Sequence, residues 1–153
     1  MGLNGRMHSK PQKIEVVLET LIESITLAEE IGVRVAATAG FDEDDQYKIG
    51  LAVHECVMNA FQYGNGQQRE KQIHLVFELH HDKLIIHVTD QGTGFQPCDV
   101  PDPLHDDNVL GHSGRGVLLM KAFMDEFDVT TGSTGGAKII MCKRHKNQAS
   151  QVT

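Results

Sequence analysis

Two apolar runs, Ile73–Leu79 and Leu84–Thr89, are separated only by His80-His81-Asp82-Lys83. So short a link returns the chain antiparallel to itself, because a parallel return needs a crossover of about a dozen residues or more. This hairpin most limits what the chain can become. Lys13–Leu18 alternates as a further short strand, and Phe127–Thr131 and Lys138–Cys142 read as a closing pair around Gly132-Ser133-Thr134-Gly135-Gly136. Between the first strand and the hairpin lie two helical stretches. Residues 20–39 carry Leu21, Ile25, Leu27, Ala28 and Ile31 on one stripe, with Gly40 as the stop. The second starts in the acidic run Phe41-Asp42-Glu43-Asp44-Asp45, continues to about Tyr63, and stops at Gly64-Asn65-Gly66. Residues 114–123 form a third helix. The order β, α, α, β, β, loop, α, β, β predicts an α+β fold: a two-layer α/β sandwich with a mixed, mostly antiparallel sheet and helices on one face.

The 153 residues suit one domain, placed at 13–144 between a loose N-terminal tail at 1–12 and a polar C-terminal tail at 145–153. A formal net charge of −7, with one short basic cluster at Lys143, Arg144 and Lys146, argues against direct nucleic-acid binding. No apolar run approaches the roughly 20 residues of a membrane span. The polar start, MGLNGRMHSKPQK, lacks the apolar stretch of a secretory signal, and Arg6 spoils the myristoylation pattern. Cys56, Cys98 and Cys142 are widely spaced, as expected of free thiols in a reducing cytoplasm. The histidines are scattered without HExxH, so no zinc site is expected.

Three segments carry chemistry. In the second helix Glu55 and Asn59 are four apart and share one face, beside a buried stripe of Ile49, Ala52, Val53, Cys56 and Ala60. A carboxylate and a carboxamide there offer a base and a hard oxygen for Mg²⁺, although such a pair also occurs on plain solvated helices. The second segment, Asp90-Gln91-Gly92-Thr93-Gly94-Phe95, directly follows a strand. Asp90 can accept a hydrogen bond from an exocyclic amine such as that of adenine, while Gly92 and Gly94 permit close backbone approach. The third, Gly111-His112-Ser113-Gly114-Arg115-Gly116-Val117, leads into the third helix. Its N–H groups and the helix dipole suit a phosphate, and Arg115 suits a terminal one. Neither GxxxxGK[ST] nor GxGxxG is present, which excludes the P-loop and the usual dinucleotide and kinase glycine loops. Residues 91–112, with Pro97, Pro101 and Pro103, read as a long lid-like loop between the second and third segments.

Together, ExxxNA at Glu55–Ala60, DxGxGF at Asp90–Phe95 and the glycine-rich run Gly111–Val117 resemble the three sequence boxes of the GHKL ATPase superfamily. The run SGRGVLLMKAFMDEFDV and the short chain look most like the anti-sigma-factor serine kinases of bacterial partner switching. The resemblance covers roughly residues 13–144. It implies the GHKL (Bergerat) ATP-binding fold, with ATP and Mg²⁺ as cofactors. Glu55 corresponds to the general base, Asn59 to the Mg²⁺ ligand and Asp90 to the acceptor for the adenine amine. Gly92, Gly94 and Phe95 line the nucleotide. Gly111, Ser113, Gly114, Arg115, Gly116 and Val117 form the lid and phosphate cradle. The implied partners are a sigma factor, which is sequestered, and a STAS-type anti-anti-sigma protein, which is phosphorylated on serine; the family commonly forms homodimers. Two positions depart from the pattern: Tyr63 stands where a histidine is frequent, and Ala137 follows Gly136 where threonine is frequent.

The leading expectation is therefore a cytoplasmic ATP-dependent serine kinase and anti-sigma factor. The alternative is an ATP-binding regulatory module that acts by partner binding without phosphotransfer; a base such as Glu55 serves no purpose in it. A histidine-kinase catalytic domain is a third reading. It needs an upstream helix pair with a phosphoacceptor histidine, for which the first 40 residues leave too little room.

Overall fold

The computed structural model describes residues 10–92, 112–133 and 135–146, with the backbone alone at 112–115. In chain order the elements are β1 (Gln12–Glu19), α1 (Ile22–Thr38), α2 (Glu43–Asn59), a π turn (Ala60–Gly64), β2 (Gln72–Leu79), β3 (Lys83–Thr89), α3 (His112–Phe123), β4 (Glu126–Thr131) and β5 (Ala137–Arg144). The five strands form one sheet in the order β1-β2-β3-β5-β4, and every pairing is antiparallel. The β2–β3 hairpin closes at Leu79↔Leu84, where the His80 N–H donates to the Lys83 carbonyl at 2.9 Å. Among the described residues, no helix is long and apolar enough to cross a membrane.

Alternation decides which face of the sheet is covered. Ile73, Leu75 and Phe77 of β2 and Leu84, Ile86 and Val88 of β3 are buried in one cluster with the apolar faces of the helices. The expected stripe of α2 is fully present: Ile49, Ala52, Val53, Cys56 and Ala60 are all buried. In α1 the stripe is rotated from the expectation. Leu27 is 49% exposed, while Ser24, Gly32, Val35 and Ala36 join Ile25 and Ala28 inside. The cause is close packing of α1 on α2. A Cβ on Gly32 would sit 3.1 Å from Cγ2 of Val53, so the contact face selects small residues over leucine.

Three further expectations are corrected. The second α-helix ends at Asn59 rather than near Tyr63, and the last turn widens into a π turn. There the Asn65 N–H reaches back five residues to the Ala60 carbonyl at 2.7 Å. The third helix begins at His112, two residues before the expected start at Gly114, so Gly116 lies a full turn inside it. Each glycine costs a helix about 1 kcal/mol, less than the burial of Val117, Met120 and Met124 returns. The basic cluster is not an open patch. Lys143 and Arg144 belong to β5, and Lys143 is buried with its ammonium 3.7 Å from Asp45. Arg144 pairs with Glu126 at 2.8 Å, and Lys146 with Asp45 at 3.3 Å. Cys56 and Cys142 are free and buried, and Cys98 lies outside the described residues.

Candidate functional site

Helix α2 is started by Asp42, whose carboxylate accepts the Asp45 N–H at 2.8 Å. Burial of Ala52, Val53, Cys56 and Val57 fixes the rotation of the helix. That leaves Glu55 and Asn59, one turn apart, half-buried at the edge of the core. Helix α3 crosses them at Gly116. A Cβ on Gly116 would lie 3.0 Å from Oε2 of Glu55 and 3.3 Å from Nδ2 of Asn59. Only a residue without a side chain lets α3 approach this pair so closely. The two helices are also joined below the site, where the Cys56 thiol lies 2.9 Å from the Met120 sulfur. Burial pushes the Cys56 thiol up, so it stays protonated and serves as packing.

Asp90 leaves the end of β3 and is buried. Its Oδ1 accepts two backbone N–H groups, from Gly92 and from Ala137, each at 3.0 Å. Its own N–H donates to the Ala137 carbonyl at 3.0 Å. Burial raises the Asp90 carboxyl above the ordinary aspartate value, and the two N–H groups oppose that rise. Glycines surround it for a steric reason. A Cβ on Gly64 would collide with Oδ2 of Asp90, one on Gly136 with the Asp90 carbonyl, and one on Gly92 with the Gly64 carbonyl. Ala137 contributes to this site through its N–H, which any residue except proline supplies. Tyr63 is exposed on the π turn beside Gly64.

The structure thus brings Glu55, Asn59 and Gly116 together and sets Asp90 and Gly92 where the π turn that continues α2 meets the end of β3. Val117 is buried in the core cluster, beneath the helix. Ser113, Gly114 and Arg115 lie on the first turn of α3, and nothing is described of their side chains. Gly94, Phe95 and Gly111 lie outside the described residues. Among the described residues, no group of three or more His, Cys, Asp or Glu side chains can hold a metal. Asn59 nonetheless offers a hard carboxamide oxygen at this crossing, 3.9 Å from where a Cβ on Gly116 would sit, with the Glu55 carboxylate on the same face. That donor set suits Mg²⁺, which takes one or two protein oxygens and completes its shell from phosphates and water.

One residue of the site was not predicted from the sequence. Asn65 is fully buried and links three segments around Asp90. In sequence, its position between two glycines just after α2 reads only as a helix stop. Burial of an asparagine is not visible in sequence pattern, and its signal was the presence of a polar amide where a plain glycine stop would serve.

The sequence profile of the family described as "Histidine kinase-like ATPase domain" matches residues 18–143. A serine-protein kinase RsbW of Staphylococcus epidermidis is 31% identical over 149 residues, covering 93% of this chain and 92% of the relative. An anti-sigma F factor of Clostridium novyi (strain NT) is 32% identical over 101 residues, covering 65% of this chain and 71% of the relative. Among solved structures, one of the RsbU and RsbW domains of a Mycobacterium tuberculosis protein aligns with a TM-score of 0.62 at 18% identity. It covers 87% of this chain, which spans 32% of that larger chain, and it supports the fold alone. The hairpin-built antiparallel sheet and the extent of these matches place the chain in the histidine kinase-like ATPase domain family and, within it, among the RsbW-type serine-protein kinases.

Proposed function

We propose that this chain binds Mg·ATP and transfers the γ-phosphate to a serine of a STAS-type anti-anti-sigma protein, and that it sequesters a sigma factor as a cytoplasmic homodimer. The observation that carries this reading is the convergence of Glu55, Asn59 and Gly116, beside an Asp90 wrapped in backbone. The anti-sigma name of the Clostridium relative and the serine-kinase name of the Staphylococcus relative support the partner assignment.

In this account Asp90 accepts the adenine amine and so sets the base end of the nucleotide. Gly92, Gly94 and Phe95 line that end. Gly111, Ser113, Gly114 and Gly116 let the start of α3 face the phosphates, where N–H groups and the helix dipole favour negative charge. Arg115 pairs with the terminal phosphate. Asn59 would hold Mg²⁺ through its carboxamide oxygen, and the ion would supply neutralisation of phosphate charge. Glu55 takes the proton of the partner's serine hydroxyl as its oxygen bonds to the γ-phosphorus. The bond between that phosphorus and the β–γ bridging oxygen breaks, and ADP leaves with the electron pair.

The test is phosphotransfer to a serine-bearing STAS protein. Glu55→Gln is expected to lower the rate about 10²–10⁴-fold while leaving Mg·ATP affinity within about threefold. Undiminished transfer in the variant would remove Glu55 from the role of base. Tight ATP binding by the native chain with no transfer to any serine partner would favour the regulatory-module reading instead.

A further inference from the structure

Asn65 has no side-chain exposure, lies one residue beyond the π turn, and uses both ends of its carboxamide. Nδ2 donates to the Thr20 hydroxyl at 2.8 Å and to the Gln72 carbonyl at 3.0 Å. Oδ1 accepts the Gln91 N–H at 2.7 Å. The orientation of the amide is fixed, because a backbone N–H can only donate and a backbone carbonyl can only accept. The ring of bonds then closes on itself. The Thr20 hydroxyl donates to the Lys71 carbonyl at 2.6 Å, and the Gln91 side-chain oxygen accepts the Gln72 N–H at 2.7 Å. Asn65 therefore ties together the end of β1, the start of β2 and the residue that immediately follows Asp90.

This placement matters because, among the described residues, the Asp90 carboxylate is held by backbone alone. Its two partners are the N–H groups of Gly92 and Ala137, and the first belongs to the segment that Asn65 anchors through Gln91. Without the anchor, Gln91–Gly92 has no other described hydrogen bond to the turn after α2, and the half-buried Gln91 N–H loses its partner. The same residue closes the π turn that continues the helix bearing Glu55 and Asn59. It thus sets the register between the two ends of the proposed nucleotide site.

We infer that Asn65 is a positioning residue for base recognition: it aims the free oxygen of Asp90 by fixing Gln91, and so confers preference for a purine bearing an exocyclic 6-amine. This rests on the Asp90 reading given under Proposed function.

The experiment compares Mg·ATP with Mg·ITP, which carries a carbonyl in place of that amine, by calorimetry. The native chain is expected to prefer ATP by about tenfold or more. Asn65→Leu is expected to reduce the preference to about twofold, by weakening ATP rather than by strengthening ITP. Asn65→Asp keeps an acceptor for the Gln91 N–H and is expected to restore most of the preference. Phe77→Leu, a core truncation outside the network, lowers stability and leaves the preference unchanged. If the native chain shows no preference, the Asp90 reading falls, and this inference with it. If the native chain discriminates and Asn65→Leu does so equally, only the positioning role is overturned. Should the variants not fold, amide hydrogen exchange of the native nucleotide-free chain decides. Gln91 is expected to exchange at least about 100-fold slower than a free amide, and exchange at the free rate would overturn the anchor.

Discussion

On the proposed reading, Asp90 serves binding at the expense of the empty protein. Its carboxyl is raised by burial. A carboxyl that favours its protonated form in the fold penalises the folded state when ionised, above its raised value, and the penalty disappears as pH falls through that value. Adenine recognition needs the opposite form, the ionised acceptor. Nucleotide affinity is therefore expected to fall on acidification, starting above the pH of about 4 where an ordinary aspartate titrates. Asp90→Asn separates the two effects. The amide oxygen still accepts the Gly92 and Ala137 N–H groups, so stability at pH 7 is expected to hold or rise by about 1 kcal/mol. The amide nitrogen then faces the adenine amine donor to donor, and ATP affinity is expected to fall about 10–100-fold by calorimetry. An unchanged affinity would remove Asp90 from the base-binding role. Asp90 was legible in the sequence because it follows a strand and precedes two glycines. Asn65 was not, since its worth depends on Thr20, Gln72 and Gln91, partners up to 45 residues away.

At the scale of elements, α3 has to come close to α2 and yet carry no side chain at the crossing. Gly116→Ala tests this. Alanine favours a helix over glycine by about 1 kcal/mol, so thermal stability is expected to stay level or rise. The new methyl would sit 3.0 Å from Oε2 of Glu55, and phosphotransfer is expected to drop about tenfold or more as the carboxylate is displaced. Full activity in a stabilised Gly116→Ala would contradict the close approach. The elements themselves were readable from pattern where apolar residues are large or alternate: the β2–β3 hairpin, the α2 stripe and the closing pair of strands. Pattern misled where packing uses small residues. In α1, Gly32 and Ala36 are inside and Leu27 is outside, because contact with Val53 rewards closeness over bulk. The π turn was hidden for a similar reason, since its wide hydrogen bond ends on Asn65, whose burial comes from tertiary partners.

Across the whole molecule, Lys143 joins pieces far apart in sequence. From β5 its ammonium donates to the Phe123 carbonyl at the end of α3, at 2.6 Å, and lies 3.7 Å from Asp45 at the start of α2. Both helices that frame the proposed site are thus tied at their far ends to one central strand. Lys143→Met leaves the buried Asp45 with Lys146 alone and removes the partner of a helix-terminal carbonyl. Denaturant unfolding is expected to show a loss of about 2–3 kcal/mol, and a change below about 0.5 kcal/mol would contradict the tie. A short basic cluster near the chain end carries no sign in sequence of what Lys143 pairs with. Only the sheet order, which places β5 between β3 and β4, reveals Lys143 as an interior strut.

On the proposed reading, the arrangement that these ties create holds Glu55, Asn59, Asp90 and the start of α3 around one Mg·ATP. Calorimetry of ATP binding with and without Mg²⁺, on the native chain and on Asn59→Ala, tests it most directly. Mg²⁺-dependent binding by the native chain is expected, with at least a tenfold loss in Asn59→Ala and both proteins folded. No binding by the native chain, or binding equally tight in Asn59→Ala, would contradict it.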